Sequence, residues 1–184
     1  MYHIKQDQRS LLSARLLQDG LAKCLTDKKY TDISVSELCE VSHVSRTTFY
    51  RLFDNIDDLL RYNLDYLSEK AADQLPVDED TTPKEYLQFM LAFLKDNMKL
   101  YETVIMSERT DIMTESLQRT SARHVSSRFD KEFSENEKDY LIAFLISTAI
   151  SMNRVNLAHG KTETPEDLLN IFQKFTRIID EGIV

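Results

Sequence analysis

The stretch Ile33-Ser34-Val35-Ser36-Glu37-Leu38-Cys39-Glu40-Val41-Ser42-His43-Val44-Ser45-Arg46-Thr47-Thr48-Phe49-Tyr50-Arg51-Leu52-Phe53 decides how the whole chain is read. Ser34 followed three residues later by Glu37 spells a capping box and starts a short helix over about 35–41. Ser42-His43-Val44 is a break, and Ser45 can cap a second short helix over about 46–52. Two short helices joined by a three-residue break predict a helix-turn-helix over about 34–53. Leu38 and Val44 supply the apolar wedge between the helices, and Cys39 is small where they must cross. Phe49 and Phe53, four apart, give the second helix a core face. Its other face then carries Arg46, Thr47, Tyr50 and Arg51. Arginine can fork onto guanine edges in a major groove, while hydroxyls suit phosphate oxygens. The N-termini of both short helices also offer backbone N–H groups to phosphates.

Outward from this stretch the pattern stays helical. Leu12, Leu16, Leu17, Leu21, Cys24 and Leu25 recur at helical spacing and predict a first helix over about 10–28, with Lys28 and Lys29 at its C-terminal end, where the dipole favours cations. Asp54, Asn55, Asp57 and Asp58 crowd the start of a fourth helix, which carries Leu59, Leu60, Leu64 and Leu67 to about residue 74. Residues 75–82, with Pro76 and three acids, read as a linker. Thr82-Pro83-Lys84-Glu85 opens a helix to about Lys99. A short helix over about 100–106 continues from it, and another runs over about 108–129. Ser134-Glu135-Asn136-Glu137 opens one that ends near Gly160, and Thr164-Pro165-Glu166-Asp167 opens the last, to about Glu181. No segment alternates like a strand, so the fold class expected is all-α, with about nine helices.

Composition narrows the function. The 184 residues include three glycines (Gly20, Gly160, Gly182) and three prolines, too little punctuation for a turn-rich β fold. No two glycines lie close enough for a phosphate-cradling loop, which removes Walker and Rossmann nucleotide sites. The longest apolar run, residues 140–146, is seven residues, against the roughly 20 of a membrane span. No secretory signal is seen, and Cys24 and Cys39 make no disulfide framework, so the expected compartment is the cytoplasm. Net charge is −8, yet residues 1–65 hold nine Lys/Arg against ten Asp/Glu, and residues 41–53 hold Arg46 and Arg51 with no acid. The acidity lies in the C-terminal two-thirds. Cys39 and His43 are four apart but lack further ligands nearby, and His124 and His159 belong to no nucleophilic triad. No catalytic residues, metal or cofactor are expected.

Over residues 12–67 the sequence resembles the tetracycline-repressor (TetR) family of transcription regulators. The resemblance rests on Ile33 through Cys39, Val44 through Phe53, and Asp57-Asp58-Leu59-Leu60. It implies phosphate contacts by Ser13, Ser34, Thr48 and Tyr50, and base reading by Ser45, Arg46 and Thr47. Arg51 joins them from its place on the outer face. The tail also resembles a Gram-positive subgroup that includes dihydroxyacetone-operon regulators, through a long apolar helix followed by His159-Gly160-Lys161 and Thr164-Pro165-Glu166-Asp167-Leu168-Leu169. Three positions depart from the family pattern. His43 stands where glycine usually serves a positive φ, Lys29 where glycine often ends helix one, and Ile56 where a phosphate-touching lysine usually opens helix four.

These readings divide the chain into a DNA-binding domain, residues 1–67, and a helical domain, residues 68–184. Residues 141–150 are apolar on nearly every side of their helix. Such a helix is expected to be buried all round, with a partner subunit covering the extra face. Leu168, Leu169, Ile171, Phe172, Phe175, Ile178 and Ile179 extend that surface, so the last two helices are expected to form a homodimer. A twofold dimer also suits double-stranded operator DNA with half-sites one or more helical turns of about 34–36 Å apart. The family's bundle often encloses an inducer pocket; the adaptable side chains Met90, Phe93, Leu94, Met98, Tyr101, Met106 and Met113 are the candidates for a small apolar or amphipathic ligand. The function expected is a sequence-specific regulator, a repressor released by that ligand. Two other classes stay open: a protein–protein adaptor that keeps the helix-turn-helix as a scaffold, and an enzyme built on a helical bundle.

Overall fold

A computed structural model describes residues 2–4, 7–75, 81–124 and 133–180. Among them are nine α-helices, one 3-10 turn and no strand. The helices are α1 (Gln8–Asp27), α2 (Val35–Ser42), α3 (Arg46–Leu52), α4 (Ile56–Gln74), α5 (Pro83–Asp96), α6 (Met98–Met106), α7 (Thr110–His124), α8 (Glu135–Ala158) and α9 (Pro165–Asp180). The 3-10 turn, Tyr30–Asp32, leads into α2. Of the expected linker, residues 76–80 lie outside the described residues, as do residues 125–129 at the end of the expected seventh helix.

The chain forms two compact units. One holds Met1–Lys70 with Lys99–Leu117; the other holds Ala71–Met98 with Gln118–Val184. In the first, α1, α2 and α3 pack together. Their core includes Leu17, Leu21, Leu38, Phe49, Leu52 and Phe53, all buried. α1 and α2 touch at Gly20, where a Cβ would lie 2.7 Å from Cβ of Ser42. Here glycine is required by close approach, not by backbone angle. In the second unit α5 packs on α8 and α9, and the buried Tyr86 hydroxyl hydrogen-bonds Ser121 at 2.7 Å.

The caps read from the sequence form at α5, α8 and α9, and only in part at α2. Thr82 and Glu85 form a reciprocal box. The Glu137 carboxylate accepts from both the N–H and the hydroxyl of Ser134, and Asp167 with Thr164 does the same work for α9. At α2 only half the box forms: Ser34 Oγ accepts from Glu37 N–H at 3.2 Å. The Glu37 carboxylate instead pairs with Lys28 at 2.6 Å. Lys28 is the residue after α1 ends, so it joins α1 to α2 rather than serving only the dipole.

One expectation about an apolar face needs correction. Leu12 and Leu16 are not core: they are 59% and 40% exposed. The buried row of α1 runs through Ser10, Ala14, Leu17, Gly20, Leu21 and Cys24, rotated by one side chain from the row of leucines. Within one chain α8 keeps an outer face, the face expected to meet a partner subunit. It buries Ile142, Leu145, Ile146, Ala149 and Ile150, but leaves Tyr140, Phe144 and Val155 in solvent. By length and composition α8 is long and apolar enough to cross a membrane. Its packing on α5 and its buried Lys138, Asn153 and Asn156 are those of a core helix in a folded unit.

Candidate nucleic-acid interface

The helix-turn-helix is built as the residue types require. Leu38 is fully buried, and Cys39 and Val44 nearly so, forming the wedge between α2 and α3. The turn is closed by His43, with φ 55° and ψ 30°, the left-handed region that glycine usually fills. The N–H of His43 reaches the carbonyl of Glu40 at 3.2 Å, and that of Val44 reaches Cys39 at 3.1 Å. Histidine thus carries the conformation at a backbone cost. Burial pushes the thiols of both Cys24 and Cys39 up from their ordinary value, so they stay protonated.

α3 is sharply two-sided. Phe49, Leu52 and Phe53 are essentially fully buried, and the Phe49 ring meets those of Tyr50 and Phe53 at 5.3 and 5.8 Å. Ser45, Arg46, Thr47, Tyr50 and Arg51 are exposed and Thr48 is half-buried. Of these, Ser45 and Thr48 are engaged with each other. Ser45 Oγ accepts from Thr48 N–H at 3.1 Å and donates to Thr48 Oγ1 at 2.9 Å. Ser34 likewise caps α2, and Ser13 on α1 donates to the carbonyl of Arg9 at 2.8 Å. A serine or threonine in such a bond keeps lone pairs and backbone neighbours available, but its first role is structural. Arg51 lies close enough to Asp7 to add to the lowering of that carboxyl's pKa, whose main cause is the N–H of Ser10. Arg46, Thr47 and Tyr50 keep the most open outward groups of the set.

The acids at the start of α4, beside Ile56 where the family usually has lysine, are engaged by neighbouring groups. Asp58 is buried and accepts from the N–H of Asp54 at 3.2 Å. Asp57 Oδ1 accepts from the Tyr30 hydroxyl at 2.6 Å, and Oδ2 accepts from Arg109. Sequence reasoning missed this cluster, because Asp57 and Arg109 are 52 positions apart. A weak signal existed: Asp57, Arg61 and Asp65 repeat every fourth residue, a polar row that apolar periodicity ignores.

The ligand candidates fall in both units. Met90, Phe93 and Leu94 are buried on α5 and Met98 is half-buried; these four belong to the second unit. Tyr101 and Met113 are buried in the first. The side chain of Met106 lies outside the described residues. An open cleft of about 680 Å³ in the second unit is lined by Gln118, Asn136, Asp139, Tyr140, Ile142 and Ala143, and by none of the candidates.

Against known proteins, residues 81–177 match the profile of a TetR-type transcriptional regulator C-terminal region. The chain belongs to the TetR family. It is therefore a DNA-binding transcriptional regulator with the family's all-α fold, and family members bind operator DNA, typically as dimers. Members are generally not enzymes. Among solved structures it is similar to Lin0861 from Listeria innocua, with 19% identity over 96% of both chains and a TM-score of 0.76. It is also similar to a TetR regulator from Streptococcus agalactiae, with 22% identity over 89% of this chain and 92% of that one, TM-score 0.63. The dihydroxyacetone-operon likeness drawn from the tail reappears in the dihydroxyacetone kinase operon activator DhaS, at 16% identity over 94% and 97% of the chains, TM-score 0.56. These likenesses show the fold. No curated protein matches the sequence.

Proposed function

We propose that this TetR-family regulator binds an inverted-repeat operator as a homodimer joined through α8 and α9, and represses transcription by occupying a promoter. The reading is carried by α3, whose arginines and Tyr50 face solvent while Phe49, Leu52 and Phe53 hold it from behind. Arg46 and Thr47 read bases. Ser45 joins them in base reading, and Ser13, Ser34, Thr48, Tyr50 and Arg51 hold the phosphates. Ser34 and Ser45 also cap helix N-termini, where the first-turn N–H groups and the dipole favour a phosphate.

The dimer reading is supported by exposed apolar groups on the two helices: Tyr140, Phe144 and Val155 on α8, and Phe175, Ile178 and Ile179 on α9. The rings of Phe144 and Phe172 already meet across the pair at a tilt, centroids 6.1 Å apart. A small apolar or amphipathic ligand would release the operator only by binding better to a state whose reading helices misfit it. Its proposed seat is the apolar group of the second unit, Met90, Phe93, Leu94 and Met98. DhaS, an activator by name, is similar in fold; repression is proposed here because steric occupation needs no further contact.

Replacement of Arg46 and Tyr50 by alanine tests the reading. Retention of genomic DNA fragments by the purified dimer should fall about 100-fold, from two lost contacts of 1–3 kcal/mol each. Retention unchanged by the substitutions would favour the adaptor instead.

A further inference from the structure

Asp57, at the start of α4, is gripped from two sides. Tyr30, in the turn that leads into α2, is buried and donates to one carboxylate oxygen at 2.6 Å. Arg109 takes the other, and its Nε and Nη2 also reach Asp111, each at 3.1 Å. The residue before Arg109 ends α6: Glu108 has φ 58°, the left-handed conformation that commonly terminates a helix. Glu108 and Arg109 donate their N–H groups to Ile105 and Val104, both at 3.2 Å, closing α6. This C-cap turns the chain sharply out of α6 and sets Arg109 at the corner before α7. Two further rungs lie along the same row of α4: Arg61 pairs with Glu115 at 2.6 Å, and Asp65 accepts from Ser116 at 2.6 Å. All these groups belong to the compact unit that joins residues 1–70 with 99–117.

We propose that Arg109 is a positioning residue for operator recognition, pinning the start of α4 and the turn before α2 to the corner between α6 and α7. The proposal rests on the operator-binding reading above. Partly exposed ion pairs of this kind contribute little to stability. What the pin supplies is a fixed relation among three segments that converge on one carboxylate. Without it α3 still presents its cations, but its angle to the groove is no longer set. Specific binding, which needs register, then suffers; non-specific binding, which needs only charge, does not.

The test uses the full-length dimer, with Arg109→Met, Asp57→Asn, the double variant and Arg109→Lys. Each is titrated with a selected operator and with an unrelated duplex of equal length, at one salt concentration. The two single variants should each weaken operator binding about five- to tenfold, within the range of such couplings. The double should be no weaker than the worse single, Arg109→Lys should recover part of the loss, and the unrelated duplex should change less than about twofold. Equal losses on both duplexes, multiplying losses in the double, or undiminished operator binding by folded Arg109→Met would overturn the proposal. Arg46→Ala separates the two readings. If it loses the operator while Arg109→Met does not, only the pin falls; if it too binds like wild type, the DNA-reading face falls with it.

Discussion

The outer face of α3 and the outer faces of α8 and α9 are opposites built by the same rule. Each helix has an anchored side and a side left to water. On α3 the side left out is Arg46, Thr47, Tyr50 and Arg51; on α8 and α9 it is Tyr140, Phe144, Val155, Phe175, Ile178 and Ile179. A cationic, hydroxyl-rich surface loses little by staying in water and gains on meeting a polyanion. A run of aromatic and branched apolar groups costs about 25 cal/mol per Å² for as long as it stays exposed. One face is made to wait for its partner; the other should already have one. The comparison teaches why a protein of net charge −8 can still bind DNA. The acids at the start of α4 are already bonded to Tyr30, Arg109 and the backbone, and the outer face of α3 carries none.

The sharpest way to break this contrast is to put charge on the apolar face. Phe144→Asp combined with Ile179→Asp should convert the dimer to a monomer in sedimentation. Operator affinity should fall on the order of 100-fold or more, because the second half-site no longer binds intramolecularly. A variant that stays dimeric would move the subunit contact elsewhere. Next in size is the anchor of the polar face. Phe49→Ala should cost about 3–5 kcal/mol in denaturant unfolding, since Phe49 is fully buried. Gly20→Ala should cost about 1–3 kcal/mol, because the new Cβ meets Ser42 at 2.7 Å and α1 and α2 must part.

Two smaller effects sharpen the picture. His43→Gly should stabilise by about 0.5–1 kcal/mol, the relief of a left-handed side chain less glycine's extra unfolded freedom; an unchanged or lower Tm would show that the imidazole contributes a contact. Hydrogen bonds hold the carboxyls of Glu137 and Asp167 below their usual range: for each, the capping hydroxyl is the first cause and the capping N–H the second. A depressed folded pKa gives stability that is present above the unfolded value and lost as pH falls through the folded one. Tm should therefore drop through the acid range, and Asp167→Asn should shallow that drop.

How far the sequence could be read depended on the range of each signal. Caps at Thr82, Ser134 and Thr164, the break at His43 and the Phe49/Phe53 pair are set within four residues, and all were legible. The row of leucines in α1 misled because two neighbouring rows on a helix both have helical spacing; the true core row includes Ser10 and Ala14, which look unremarkable alone. Glu37 has the spacing of a box partner, but Lys28, just past the end of α1, takes its carboxylate. The grip on Asp57 was invisible, since nothing local links it to Tyr30 or Arg109. The polar face of α3 was therefore legible, and the device that holds its supporting helix was not.

The most direct measurement is selection of bound fragments from random duplex DNA by the purified wild-type protein at a stated salt concentration. The account predicts enrichment of one inverted repeat, with half-sites about one or more helical turns apart. Recovery of a pool with no shared sequence, or of a motif without twofold symmetry, would contradict it.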